Sequence, residues 1–296
     1  MRVVISGASG LIGTALSQSL RQGGHDVVHL VRREAKGPGE SAWDPAKGSI
    51  DRDVIARADA VVNLAGASIG GQRLTESYRE VVLQSRVDST RTIAQAIAAE
   101  NPRATLLQGS AMGFYGDRGE EELSERSPRG KGFLADICEA WEGAAAPAVD
   151  SGARVAYLRT GLVLAPHGGF AERLLPLVRR GVLRSLGSGE AWHSWISLRD
   201  EVAALTFLLD GDHAGPVNLV APAPVRDRDL ISSLAAALDT GTLLPVPAWA
   251  MRVAVGPAAE DLLSSQRAMP GVLARRGFAW ADPDIDTAAR WIVSQL

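Results

Sequence analysis

The chain has 296 residues, 46% of them apolar and 22% charged, with a net charge of −3. That balance specifies a packed globular protein and gives no overall drive toward nucleic acid or an anionic membrane. A single cysteine, Cys138, excludes an intrachain disulfide, no apolar run approaches the ~18 residues of a spanning helix, and the opening apolar run is too short for a secretory signal, so a cytoplasmic protein is expected.

Residues 3–5 read as a buried parallel strand: short, β-branched and not alternating. Residues 11–20 follow as a helix with Leu11, Ile12, Ala15, Leu16 and Leu20 on one side, stopped at Gly23-Gly24. Residues 26–31 (DVVHLV) and 58–66 (ADAVVNLAG) are the next strands. A long helix is expected over about 77–100, where Leu83, Val87, Thr90, Ala94 and Ile97 recur every three or four residues. A strand at 104–111, a helix at 132–150 and a strand at 153–161 complete the alternation. Strands alternating with helices predict right-handed βαβ units. The fold class is therefore α/β, a Rossmann-type doubly wound parallel sheet with helices on both faces.

Beyond residue 160 glycine, proline and tryptophan break the pattern, although helical stretches remain near 199–210, 227–239 and 286–294. Strands near 193–197 and 217–220 are expected to return to the main sheet. The predicted division is a nucleotide-binding domain over 1–165 with returning segments at about 193–220. A smaller C-terminal substrate lobe is then built from 166–192 and 221–296.

The stretch RVVISGASGLIGTAL carries Gly7, Gly10 and Gly13 between a strand and a helix. In that setting the first glycine permits a tight turn. The second lets a pyrophosphate approach the backbone, and the third lets helix and strand pack closely. Free N–H groups at the helix start then face the phosphates, so Ser9, Leu11 and Ile12 join the glycines as cofactor-binding candidates. An NAD-type site has an acidic residue at the end of the second strand, for the ribose 2′-hydroxyl. Here Arg32 and Arg33 stand there, and a guanidinium suits a 2′-phosphate, which favours NADP(H). Leu64, Ala65 and Gly66 end the third strand and are small enough there for an adenosine to lie against backbone.

The Gly7-x-x-Gly10-x-x-Gly13 spacing resembles the extended short-chain dehydrogenase/reductase superfamily. The segments WDP (43–45), SRVDSTR (85–91), GFYGDRGEEELSE (113–125), FLADICEAWE (133–142), LRTGLVLAPHGG (158–169), SWISLRDEVAAL (194–205) and RRGFAWADPDID (275–286) narrow the match. Together they resemble the atypical subgroup labelled epimerase-family protein, or cell-division-inhibitor-like nucleoside-diphosphate-sugar epimerase. That subgroup carries a small C-terminal domain of unknown function, and the resemblance covers essentially the whole chain.

The resemblance implies a reduced active site. The superfamily pairs a serine with Tyr-x-x-x-Lys, the tyrosine as acid/base and the lysine lowering its pKa. Ser110 matches the serine, but aligning on Glu142 puts Leu134 and Cys138 in the tyrosine and lysine slots, a shift by one puts Phe133 and Ile137 there, and neither register has tyrosine or lysine. The subgroup commonly has cysteine there, with an arginine on the preceding helix, here Arg86, expected to turn toward cofactor phosphate or ribose. Cys138 is either a thiol acid/base or nucleophile, or a buried small apolar residue. Tyr115 either supplies a displaced phenol or lines the substrate cleft. The catalytic candidates are thus Ser110, Tyr115 and Cys138. Isolated His167 and His193 give no metal spacing, so no metal site is expected.

Two functions fit: an NADP(H)-dependent oxidoreductase or epimerase-like enzyme on an unknown small molecule, or a catalytically silent NADP(H)-binding sensor or scaffold. The oligomeric state is left open by the sequence.

Overall fold

The computed structural model describes residues 1–69, 74–181, 183–241, 244–246 and 263–296, so residues 247–262 of the expected C-terminal lobe lie outside the described residues. Its described strands are β1 (Arg2–Ser6), β2 (Asp26–Val31), β3 (Glu40–Asp44), β4 (Ser49–Ile50), β5 (Ala60–Asn63), β6 (Thr105–Ala111), β7 (Glu122–Leu123), β8 (Val155–Thr160), β9 (Leu162–Leu164), β10 (Leu183–Leu186), β11 (Trp192–His193), β12 (Trp195–Ser197), β13 (Gly215–Leu219), β14 (Val225–Arg226), β15 (Leu244–Val246) and β16 (Arg267–Ala268). The main sheet has the order β13-β8-β6-β5-β1-β2-β3-β4. Every neighbouring pair is parallel except β3 with β4. Chain order reverses between β1 and β5, which opens a crevice at the carboxyl ends of the central strands.

The central strand shows why these residues form a sheet covered on both sides. Val3, Val4 and Ile5 are fully buried. Val3 and Ile5 pack with Leu16 and Leu20 of α1 (Leu11–Gln22) and with Leu205 and Leu208 of α7 (Leu198–Asp210). Val4 packs on the other face with Ile93 and Ile97 of α3 (Glu76–Glu100). Side chains alternate across a strand, so a strand buried twice reads as an unbroken apolar run. A second apolar cluster joins Trp195 to Leu174, Leu175, Leu230, Leu234 and Ile292, outside the main sheet.

Two expectations change in detail and a third holds. The helix expected at 132–150 is two, α4 (Phe133–Gly143) and α5 (Ala146–Asp150), and Pro147 sits in the first turn of the second. Proline is tolerated there because that N–H has no helical partner. The segment near 193–197 does not return to the main sheet, because β12 pairs in parallel with β9, Trp195 opposite Leu162. The two lie close because Gly161 has no Cβ; one would stand 2.6 Å from the Ser194 carbonyl. The segment near 217–220 does return, as β13 on the edge of β8. No described helix is long and apolar enough to cross a membrane.

Candidate functional site

The turn after β1 is built around two glycines. Gly7 has φ +70°, and a Cβ there would stand 2.5 Å from the Leu64 carbonyl oxygen, so the β1 and β5 turns meet backbone to backbone. A Cβ on Gly13 would stand 2.3 Å from the Gly7 carbonyl oxygen, so α1 packs directly on the turn. Gly10 precedes α1, and neither a capping side chain nor an acidic residue occupies its first turn. The N–H groups of Leu11, Ile12 and Gly13 are therefore free to meet an anion.

This helix start opens onto a cleft of about 940 Å³. Gly7, Ser9 and Gly10 line one end, Arg32 and Arg33 the side beyond β2, and Leu64, Ala65 and Gly66 the turn after β5. Leu11, Ile12 and Gly13 form the first turn of α1 behind the loop. Beneath the β5 turn, Asn63 donates to Thr90 at 3.0 Å and to Gln108 at 2.9 Å and accepts from Ser6. That buried amide fixes β1, β5, β6 and α3 relative to one another.

Sequence reasoning missed two walls of this cleft. Trp43 and Asp44 of β3 close one side, and Val81, Ser85 and Asp88 of α3 another. The second wall has a visible signal: positions 81, 85 and 88 share one helical face. The WDP motif marks the first without saying where it lies.

Arg86 sits behind the β5 turn. Its Nη1 donates to the carbonyls of Ala67 and Val82, both at 3.0 Å, and the guanidinium lies 4.9 Å from the Trp141 ring centroid. Its Nε is buried with no partner among the described residues. Burial holds this guanidinium below the usual arginine range. Gly66 is in contact with it, since a Cβ there would stand 3.1 Å from Cζ.

A second polar group occupies the ends of β6 and β8. Ser110 Oγ donates to Glu142 Oε1 at 2.7 Å. Arg159 grips the same carboxylate with Nε at 2.9 Å and Nη2 at 3.0 Å, a bidentate pair. Arg159 Nη1 donates to the Tyr115 hydroxyl at 3.0 Å, and that hydroxyl donates to Asn218 Oδ1 at 2.7 Å. The guanidinium also stacks 3.4 Å from the Phe114 ring centroid. Tyr115 is fully buried, and burial pushes its phenol above the usual range despite Arg159.

A model of the NAD dependent epimerase/dehydratase family matches residues 3–220, and a domain of unknown function, DUF1731, matches residues 246–292. The chain belongs to the NAD dependent epimerase/dehydratase family. An epimerase family protein of Mycobacterium bovis is 42% identical over 278 residues, covering 93% of this chain and 92% of the relative. The crystal structure of human epimerase family protein SDR39U1 with NADPH superposes with a TM-score of 0.91 at 30% identity, covering 100% of both chains. The nucleoside-diphosphate sugar epimerase of Corynebacterium glutamicum superposes with a TM-score of 0.81 at 35% identity, covering 100% of this chain and 58% of that one.

In this epimerase/dehydratase family member, α4 carries neither a tyrosine nor a lysine. Leu134 packs on Gly113, where a Cβ would stand 2.8 Å from its own. Cys138 is buried and its Sγ donates to the Ala111 carbonyl at 3.7 Å. Burial, with Glu142 adding to it, pushes the thiol up to about 12. The sequence candidates Ser110, Tyr115 and Cys138 are thus close together, but in different states. Ser110 is held by a carboxylate, and the Tyr115 phenol is engaged on both sides. Cys138 is buried against the Ala111 carbonyl, and burial keeps its thiol protonated at physiological pH. Among the described residues no His, Cys, Asp and Glu cluster has the make-up of a metal site.

Proposed function

We propose that this chain binds NADP(H) across the carboxyl ends of its central strands and couples it to oxidoreductase or epimerase-like chemistry on a small molecule. One observation carries the reading. The uncapped start of α1 opens onto the same cleft as Arg32, which is exposed and unpaired among the described residues. Backbone amides at one end suit a pyrophosphate, and a free guanidinium at the other suits a 2′-phosphate. The human relative crystallised with NADPH supports the same choice.

In this reading residues 7–13 hold the pyrophosphate, and Leu64, Ala65 and Gly66 lie against the adenosine. Arg86 supports the Gly66–Ala67 backbone from behind. When bound, the nicotinamide supplies or takes the hydride. Ser110 meets the reacting oxygen of the substrate, and the Glu142–Arg159 pair fixes the direction of its hydroxyl. Tyr115 anchors Arg159, and Cys138 holds the Ala111 carbonyl at the base of the corner. The apolar cluster around Trp195 is the core of a smaller lobe that closes over the substrate. A reducing, cytoplasmic setting suits a chain with one buried thiol.

The test is a fluorescence titration of NADPH and NADH against the wild type and Arg32→Asp. The wild type is expected to prefer NADPH, and the variant to lose at least about tenfold in NADPH affinity, ~1.4 kcal/mol, with NADH little changed. Equal wild-type affinity for the two coenzymes overturns the reading. Loss of bound NADPH fluorescence on adding panels of small carbonyl compounds then identifies turnover.

A further inference from the structure

The two arginines after β2 are not equivalent. Arg33 Nη1 and Nη2 donate to the two oxygens of Glu40 at 2.7 and 2.6 Å, and Nη1 also donates to the Glu34 carbonyl at 2.9 Å. The Lys36 amide donates to the same carboxylate at 2.8 Å, which draws residues 33–40 into a closed loop around Glu40. Arg32 has no hydrogen bond or ion pair among the described residues. Glu40 opens β3 opposite His29 of β2 and lines the cleft together with both arginines. The charge of Arg33 is therefore cancelled where it stands, and of the two arginines that line the cleft Arg32 is the one left free among the described residues.

We infer that Glu40 sets the cofactor preference of this site by neutralising Arg33, so that Arg32 alone meets the 2′-phosphate. The inference rests on the NADP(H) reading above and assigns a selectivity role to a carboxylate that opens β3, beyond the arginines that follow β2. The physical basis is net charge. A dianion entering the cleft meets +1 from Arg32 and nothing from the closed Arg33–Glu40 pair. Hydrogen bonds from Arg33 and Lys36 hold the Glu40 carboxyl down at about 2, so the pair stays ionised at any working pH. Removing the carboxylate leaves two cations for the phosphate. Removing Arg33 leaves an anion facing it.

Titrating NADPH and NADH against the wild type, Glu40→Gln, Arg33→Ala and the double variant reads these charges directly. At low salt Glu40→Gln is expected to bind NADPH about fivefold more tightly and Arg33→Ala about fivefold more weakly, with both effects shrinking severalfold at about 0.5 M salt. The double variant returns to within about twofold of the wild type, and NADH affinity stays within about twofold throughout, because NADH lacks the 2′-phosphate. Weaker NADPH binding by Glu40→Gln overturns the inference, because Glu40 would then be aligning Arg33 for the phosphate. A double variant that tracks Arg33→Ala overturns it equally. Arg33→Ala changes no residue of β3, so an unchanged NADPH affinity there overturns it even if Glu40→Gln folds poorly. A wild type without NADPH preference instead ends the cofactor reading itself, before any variant is compared.

Discussion

Glu201 gives a sharp test of the packing beneath the site. It lies in the first turn of α7, fully buried. Its Oε1 accepts from the Thr160 hydroxyl at 3.0 Å, while Oε2 is buried with no partner among the described residues. Burial pushes this carboxyl up to about 8 from an ordinary 4.5. The fold therefore tolerates the neutral acid and resists the carboxylate. Stability from this group is present in full below the unfolded value and is lost as pH rises toward the folded one. At ~1.4 kcal/mol per unit, the wild type loses about 3 kcal/mol between about pH 5 and pH 8 through this group alone. Glu201→Gln keeps an oxygen for Thr160 and cannot ionise. Urea unfolding of both proteins at the two pH values isolates the effect, because every other titration is common to them. The variant is expected to gain on the wild type by about 3 kcal/mol from the lower pH to the higher. Parallel stabilities across that range would refute the buried, unpaired carboxyl.

Two further outcomes are expected. Gly13→Ala drives a Cβ into the Gly7 carbonyl, and the overpacking should cost about 1–3 kcal/mol in urea unfolding despite alanine's better helix propensity. The same variant should bind NADPH more weakly by titration, since the loop must shift. Cys138, with its thiol near 12, is on the order of 10⁻⁴ ionised at about pH 8 and should resist alkylation in the native protein. Mass spectrometry should show modification only once urea unfolds the chain, and rapid native labelling would contradict its burial.

Much of the fold was legible because its signals are local. The β1 turn announces itself through Gly7 and Gly13, and β2 was read at its observed bounds of Asp26–Val31. β3 was not read as a strand, because ESAWD mixes charged and small residues on a sheet margin covered only by the two-residue β4. α6 (Gly169–Arg179) was missed because it starts at two positive-φ glycines and contains Pro176, all signals for a loop. In the site, the residue types were legible but their engagements were not. Arg33 looks as free as Arg32 until Glu40, seven residues on, is brought against it. Ser110, Glu142 and Arg159 come from three elements, and no sequence spacing links them. Nothing local to Tyr115 shows that Asn218, 103 residues away, accepts from its hydroxyl.

The late arrival of β13 shapes how the molecule must be made. Residues 215–219 pair with β8 along five positions, yet α6, α7 and four short strands intervene between them in the described chain. A nascent chain that has emerged only through α5 and β8 therefore pairs Val155–Thr160 with β6 on one edge and leaves the other a bare ladder of amides and carbonyls, apolar enough to recruit a stranger. Truncations ending before residue 215 should self-associate for that reason, whereas those that retain β13 carry their own seal.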